Sequence, residues 1–156
     1  MKRILLIAAA VYLLILLIVP SYIIYHHYDI LSTGETFKIE VIAYDPYDPF
    51  RGRYVDIRPA LSQLRWQHGG IRLIKNADEL VVAAETTADT KAIGYVKNLK
   101  IERYYMNEKT APLVEERQMR ATIEGDLIYI EIKVKNGNYV VKGLYINGTA
   151  AEEYVK

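Results

Sequence analysis

One apolar run constrains this chain more than any other feature. Residues Ile4 to Tyr25 read ILLIAAAVYLLILLIVPSYIIY, in which only Pro20 and Ser21 fall outside the apolar set. As a helix the 21 residues from Ile4 to Ile24 would extend about 31 Å, at roughly 1.5 Å per residue, which matches the hydrocarbon core of a bilayer. No polar face interrupts the run, and this argues against a helix buried in a soluble protein. Pro20 lies near one end, where a lost backbone hydrogen bond can be met among the headgroups. Tyr22, Tyr25 and Tyr28 follow it, rings of the kind enriched at membrane interfaces.

The flanking charges give the run a direction. Lys2 and Arg3 are the only charges before it, and Asp29 is the first after it. By the positive-inside rule the N-terminus stays in the cytoplasm, and residues from about His26 onward face outside. A cleaved signal peptide shares the basic start and the apolar run. Its apolar region is shorter, about 7–15 residues, and Val19-Pro20-Ser21 matches a small-residue cleavage site poorly. The reading is therefore a retained anchor in the cell membrane, residues 1–25, with a single pass.

The length leaves room for one further domain. The 131 residues after Tyr25 are roughly 45% apolar, ordinary for a water-soluble domain. Cysteine is absent from the chain, which excludes a disulfide scaffold, thiolate zinc sites, cysteine nucleophiles and thiol redox chemistry. Outside the anchor 18 basic residues face 19 acidic ones. No basic stripe stands out, so no nucleic-acid partner is expected.

Residues 26–36 (HHYDILSTGET) read as a polar linker and residues 37–156 as the outer domain. FKIEVIAY (37–44) reads as a strand, DPYDPFRG (45–52) as turns, and RYVDIRP (53–59) as a strand stopped by Pro59. ALSQLRWQ is a helical turn or a loop, closed by His68-Gly69-Gly70. ELVVAAET (79–86) is a third strand, and residues 92–106 form one bent strand or two short ones. A two-turn helix is expected from Thr110-Ala111-Pro112, with Thr110 as its cap, ending before Gly125-Asp126. Glu115 and Glu116 fall early in it and Arg117 and Arg120 late, in accord with the helix dipole. LIYIEIKV (127–134) places Ile128, Ile130, Ile132 and Val134 on one face. Asn136-Gly137 then supplies a primed turn, and YVVKGLYI returns. Asn147-Gly148 makes the next turn, before a terminal helical turn. The fold class is mainly β (α+β): an N-terminal transmembrane helix, then a small antiparallel β-sheet or partly open barrel with one short helix.

Motifs for chemistry are sparse. The chain holds neither a Gly-rich phosphate loop nor a G-x-S-x-G elbow. Its three histidines fall at 26, 27 and 68. Adjacent His26 and His27 would point apart on a strand, whereas metal ligands must converge. The densest polar constellation sets Asp45, Asp48, Arg51, Arg53, Asp56 and Arg58 within 14 residues. Its carboxylates could hold Ca²⁺ or act as an acid/base pair, but the interleaved arginines offer salt bridges that would neutralise the site for cations. The competing account is a rigid turn with a solvated ion-pair network. A second candidate is Glu102-Arg103-Tyr104-Tyr105. Paired tyrosines beside an ion pair suit a recognition surface, and equally suit the packing of a small sheet.

These segments, in this order, resemble the GDYXXLXY family of bacterial membrane-anchored proteins. The naming motif aligns with Gly52-Arg53-Tyr54-Val55-Asp56-Ile57-Arg58-Pro59. Gly52 and Tyr54 match and Ile57 replaces the leucine, while Arg53 stands where the motif has Asp and Pro59 where it has Tyr. The Arg53 departure argues against a catalytic role for that position. DPYDPFRG, IERYYM and GLYINGTAAEEY also look like the family. Some members lie beside, or are fused to, multi-spanning membrane proteins, and this implies a partner in the membrane. A remoter similarity links RGRYVDI and LYINGTAAEEY to the β-rich region of type I signal peptidases. Those enzymes need a serine activated by a lysine, and here only Ser32 precedes the RG segment in the outer domain, without the expected context.

The expected function is a non-enzymatic accessory or binding module, without cofactor or metal. It is held in the bilayer by residues 4–24 and directed to a membrane partner. Its alternatives are a signal-peptidase-like hydrolase and an envelope ligand-binding protein. The residues proposed to form its binding or structural motif are Asp45, Asp48, Arg51, Gly52, Arg53, Tyr54, Asp56, Arg58, Glu102, Arg103, Tyr104 and Tyr105.

Overall fold

The computed structural model describes residues 2–43, 54–61, 69–87, 89–107 and 109–155. The apolar run lies within a single helix, α1 (Lys2–Thr33), of 32 residues, with Pro20 inside it. This helix is long and apolar enough to cross a membrane. None of its large apolar side chains from Ile4 to Tyr25 is covered by the rest of the chain, and Ile30 is its one buried residue. The polar stretch after Tyr25 is mostly helical. It continues α1 to Thr33, and the first strand, β1 (Glu35–Ala43), begins after Gly34 alone.

Two antiparallel sheets follow. The larger combines β1 with β2 (Tyr54–Pro59), β6 (Arg103–Tyr105), β7 (Ile128–Lys135), β8 (Asn138–Ile146) and β9 (Thr149–Ala150), in the order β6-β2-β1-β7-β8-β9. The smaller holds β3 (Ile71–Lys75), β4 (Val81–Thr86) and β5 (Tyr95–Val96), in the order β4-β3-β5. Isolated parallel bridges, Lys38 with Leu80 and Val96 with Gly137, tie the two together. Lys75 adds an ion pair to Glu35 at 2.6 Å and lies over the Phe37 ring. The architecture is an apolar N-terminal helix on a mostly β, α+β domain.

The core follows the period-two pattern of the strands. Phe37, Ile39 and Val41 of β1 lie beside Ile128, Ile130, Ile132 and Val134 of β7, and all are buried. Val55 and Ile57 extend this face across β2. Val114 and Ala121 of α2 (Ala111–Glu124) join the same cluster, as do Ile71, Leu73 and Val96 of the small sheet. On the other face of β7, Tyr129 stacks on Tyr145 at 5.3 Å and Glu131 accepts a hydrogen bond from Lys142 at 2.8 Å. These pairs cover both groups, leaving Tyr129 8% and Glu131 7% exposed. The Glu131 hydrogen bond raises the Lys142 pKa, and burial raises that of Tyr129.

Both Asn-Gly hairpin turns carry the backbone their sequences require. Asn136 and Gly137 have φ of 52° and 78°, and Asn147 and Gly148 have 47° and 84°. Positive φ at both central positions is the twist-matched type I′ pattern.

Local structure departs from the expected pattern within α2 and at β3, and agrees with it at Gly125, over residues 92–106 and at the C-terminal turn. Helix α2 has 14 residues where two turns were expected, so Glu115 and Glu116 fall outside its first turn and Arg117 and Arg120 outside its last. Its charges are spent sideways instead: Arg117 pairs with Glu124 and Asp126, and Arg120 with Glu116. Thr110 makes no side-chain cap bond; its backbone is already helical, at φ −95° and ψ −26°, where a capping residue is extended, and its hydroxyl donates to the Asn107 carbonyl at 3.0 Å. Gly125, left-handed at φ 78°, does close the helix. Residues 92–106 form two short strands in different sheets. Strand β3 was not expected, and the terminal turn is the 3₁₀ segment Ala151–Val155. ALSQLRWQ beyond Leu61, and His68, lie outside the described residues.

Candidate functional site

Two places gather functional groups, at opposite ends of β1. Nine residues of strand separate them, about 30 Å at roughly 3.3 Å per residue.

At the far end the described part of the first sequence candidate, Tyr54 to Arg58, lies beside the second. β2 pairs with β6 so that Tyr54 faces Tyr105, Val55 faces Tyr104 and Asp56 faces Arg103. Arg58 stands opposite Ile42 of β1. Asp45, Asp48, Arg51, Gly52 and Arg53 lie outside the described residues. Tyr104 packs against the core, and its hydroxyl donates to Glu152 Oε1 at 2.8 Å. Burial, reinforced by that carboxylate, pushes the Tyr104 phenol well above its ordinary pKa. Tyr105 is 68% exposed. The tyrosine pair therefore divides, one ring for packing and one at the surface. Glu102 forms an exposed ion pair with Lys100 at 3.6 Å, and its backbone carbonyl accepts from the Ile57 amide.

At the near end α1 docks on the β7–β8 hairpin. Lys135 Nζ donates to both carboxylate oxygens of Asp29, at 2.7 and 2.8 Å, and to Thr33 Oγ1 at 2.7 Å. The Lys135 hydrogen bond, against a smaller opposing effect of burial, holds the Asp29 carboxyl below its usual range. Ile30, 2% exposed, is the apolar contact beside this polar lock. Thr33 Oγ1 donates to the Asp29 carbonyl at 2.8 Å, and Ser32 Oγ donates to the same carbonyl at 3.2 Å. Among the described residues neither hydroxyl has a free base beside it. Lys135 is committed to the Asp29 carboxylate, and a neutral amine there would leave that carboxylate without its counter-charge.

A cleft of about 280 Å³ opens next to this lock, between the end of the apolar run and the hairpin tip. His26 and His27 form one wall, and Lys97, Asn98, Asn138 and Tyr139 the other. His26 and His27 are helical here, not on a strand as the metal argument assumed, so they lie about 100° apart and both reach the cleft. His27 Nδ1 is 3.0 Å from the Ile23 carbonyl, which can only accept, so this nitrogen carries the proton. Tyr139 is pinned by donating to the Lys100 carbonyl at 2.9 Å. The Lys97 amide donates to Gly137 at 2.9 Å and holds the segment against the turn. Among the described residues no group of three or more His, Asp or Glu is placed to hold a metal ion.

Of the junction residues, Asp29 stood out in the sequence only as the first charge after the apolar run, and Lys135, Lys97, Asn98 and Asn138 not at all. The Asn-Gly turn was legible there. Its meeting with residues 26–33, more than a hundred positions earlier, has no local signature.

An apolar N-terminal helix carried in one piece by a mostly β domain defines a class of candidate membrane-anchored modules. Residues 16–144 match the GDYXXLXY protein family, and the chain belongs to that family. Comparison with curated proteins and with solved structures finds no match.

Proposed function

We propose that this chain is a single-pass membrane protein whose domain works outside the cytoplasm as a non-enzymatic accessory module. Its partner is a multi-spanning protein of the same membrane. The observation that carries the proposal is the unbroken helix. α1 runs from the apolar segment into the domain without a flexible joint and is locked there by Ile30 and by the Asp29–Lys135 pair. Such a joint holds the domain at a set height and rotation above the bilayer, which suits a module that meets a neighbour in the membrane. Lys2 and Arg3 ahead of the apolar run support the outward orientation of the domain. At the far end, exposed Tyr105 supplies an amphipathic ring of the kind frequent at interfaces.

The hydrolase alternative draws no support from Ser32, whose hydroxyl is bound to a backbone carbonyl of its own helix. Photo-crosslinking in intact membranes tests the accessory reading. Crosslinkers at Leu17 and at Tyr105 are expected to capture one and the same multi-spanning protein. Lipid adducts alone at Leu17, with no protein at Tyr105, would refute it.

A further inference from the structure

With residues 4–24 in the hydrocarbon layer, His26 and His27 emerge within about 5 Å of its edge, at roughly 1.5 Å per residue. The polar headgroup layer occupies that depth. Because α1 is unbroken through both histidines, the cleft they share with Lys97, Asn98 and Asn138 is held at the level of the headgroups.

Among the residues that line this cleft the one formally charged side chain, Lys97, is basic. Lys97 is exposed and its ammonium has no partner among the described residues. The side-chain amides of Asn98 and Asn138 are likewise without partners among them. The carboxylate on this stretch of α1, Asp29, is already held through both oxygens by Lys135. One cation and two side-chain amides thus line a cleft beside which the α1 carboxylate is already paired. At about 280 Å³ the cleft is slightly below the range of roughly 300–1,000 Å³ that takes drug-sized ligands. It suits a headgroup better than an acyl chain.

We propose that this cleft binds the phosphate of an anionic lipid headgroup from the leaflet into which α1 emerges. Lys97 supplies the charge, and Asn98 and Asn138 supply hydrogen-bond donors. Free inorganic phosphate has the same chemistry, but the depth of the cleft favours the lipid. The proposal rests on α1 lying in a membrane.

Native mass spectrometry of the full chain, released from nanodiscs of mixed phosphatidylcholine and phosphatidylglycerol, tests it. The wild-type chain is expected to retain phosphatidylglycerol preferentially. Lys97→Gln should reduce that preference on the order of fivefold, the worth of one lysine at an anionic surface. The charge-neutral double variant Asn98→Ala/Asn138→Ala should also reduce it, whereas Lys91→Gln, outside the cleft, should not. Full preference in the neutral double variant, or equal losses in Lys97→Gln and Lys91→Gln, would mean diffuse attraction and overturn the site. In a second arm, inorganic phosphate is titrated into lipid-free protein in detergent and followed by ³¹P linewidth. Broadening that these variants abolish, together with no phosphatidylglycerol preference in the nanodiscs, would assign the cleft to free phosphate and overturn the lipid source. Failure to float with vesicles would refute the anchor itself, whereas flotation without headgroup preference would refute only the cleft.

Discussion

At the scale of single residues, the informative groups are polar side chains in unusual settings. Gln118 of α2 is 1% exposed, and its Nε2 has no hydrogen-bond partner among the described residues. A buried donor left unmade costs about 1–3 kcal/mol, and an apolar side chain of similar shape avoids that cost. Gln118→Met is therefore expected to stabilise the domain by about 1 kcal/mol, read as a rise of roughly 2–4 °C in Tm. Asp29 carries a pH dependence whose sign follows from its lowered pKa. The ion pair is intact at neutral pH and is lost as pH falls through a value below the ordinary 3.8. Proteolytic sensitivity of residues 26–34 should rise over that acid range in the wild type. Asp29→Asn should show the sensitivity already at neutral pH, with no further acid step there.

At the scale of elements, the joint between α1 and β1 turns on Gly34. Its amide donates to the Ile30 carbonyl at 2.8 Å, and a Cβ added at this position would collide with that same oxygen. Gly34→Ala is expected to cost on the order of 2 kcal/mol, read in a thermal melt and as faster amide exchange in the last turn of α1. Gly137 is constrained twice, by φ +78° and by Lys97 Cγ, which would lie 2.9 Å from an added Cβ. Gly137→Ala should cost about 1–2 kcal/mol and open the hairpin tip against Lys97.

The same elements mark where local pattern suffices. Strand β7 and its turn were legible, because apolar residues alternate through Ile128, Ile130, Ile132 and Val134 and Asn-Gly follows directly. β3 was not. Its IRLIK is too short to establish a period, and it is a strand because β4 and β5 pair with it on both sides. The turns of α2 were undercounted because Gln118 and Thr122 weaken its stripe, and its packing on β1, β2 and β7 keeps the whole stretch helical up to the Gly125 stop that the sequence marks.

At the scale of the whole molecule, the predictions concern placement. A reporter fused after Lys156 should be active only outside the cytoplasm, and cytoplasmic activity would reverse the orientation. N-terminal sequencing of mature protein should find Met1. A start near Tyr22 would show that the apolar run is a cleaved signal. Neither outcome would alter the fold of the domain, since residues 4–24 make no core contact with it.

The sequence by itself determined the membrane-competent helix, the mostly β character of the domain, both Asn-Gly hairpins and the family. Each is written in a contiguous stretch, as an apolar length, a period of two, or a residue type that tolerates positive φ. Only the tertiary structure decided that the polar stretch after the run is helix and no loose tether. It also paired the Tyr54–Pro59 strand with Arg103–Tyr105 and joined Asp29 to Lys135 and His26 to Asn138. These are meetings of distant residues, selected by the burial of one shared core. The physical reason is that a cleft or an ion pair across a fold depends on register and packing, which no single segment encodes.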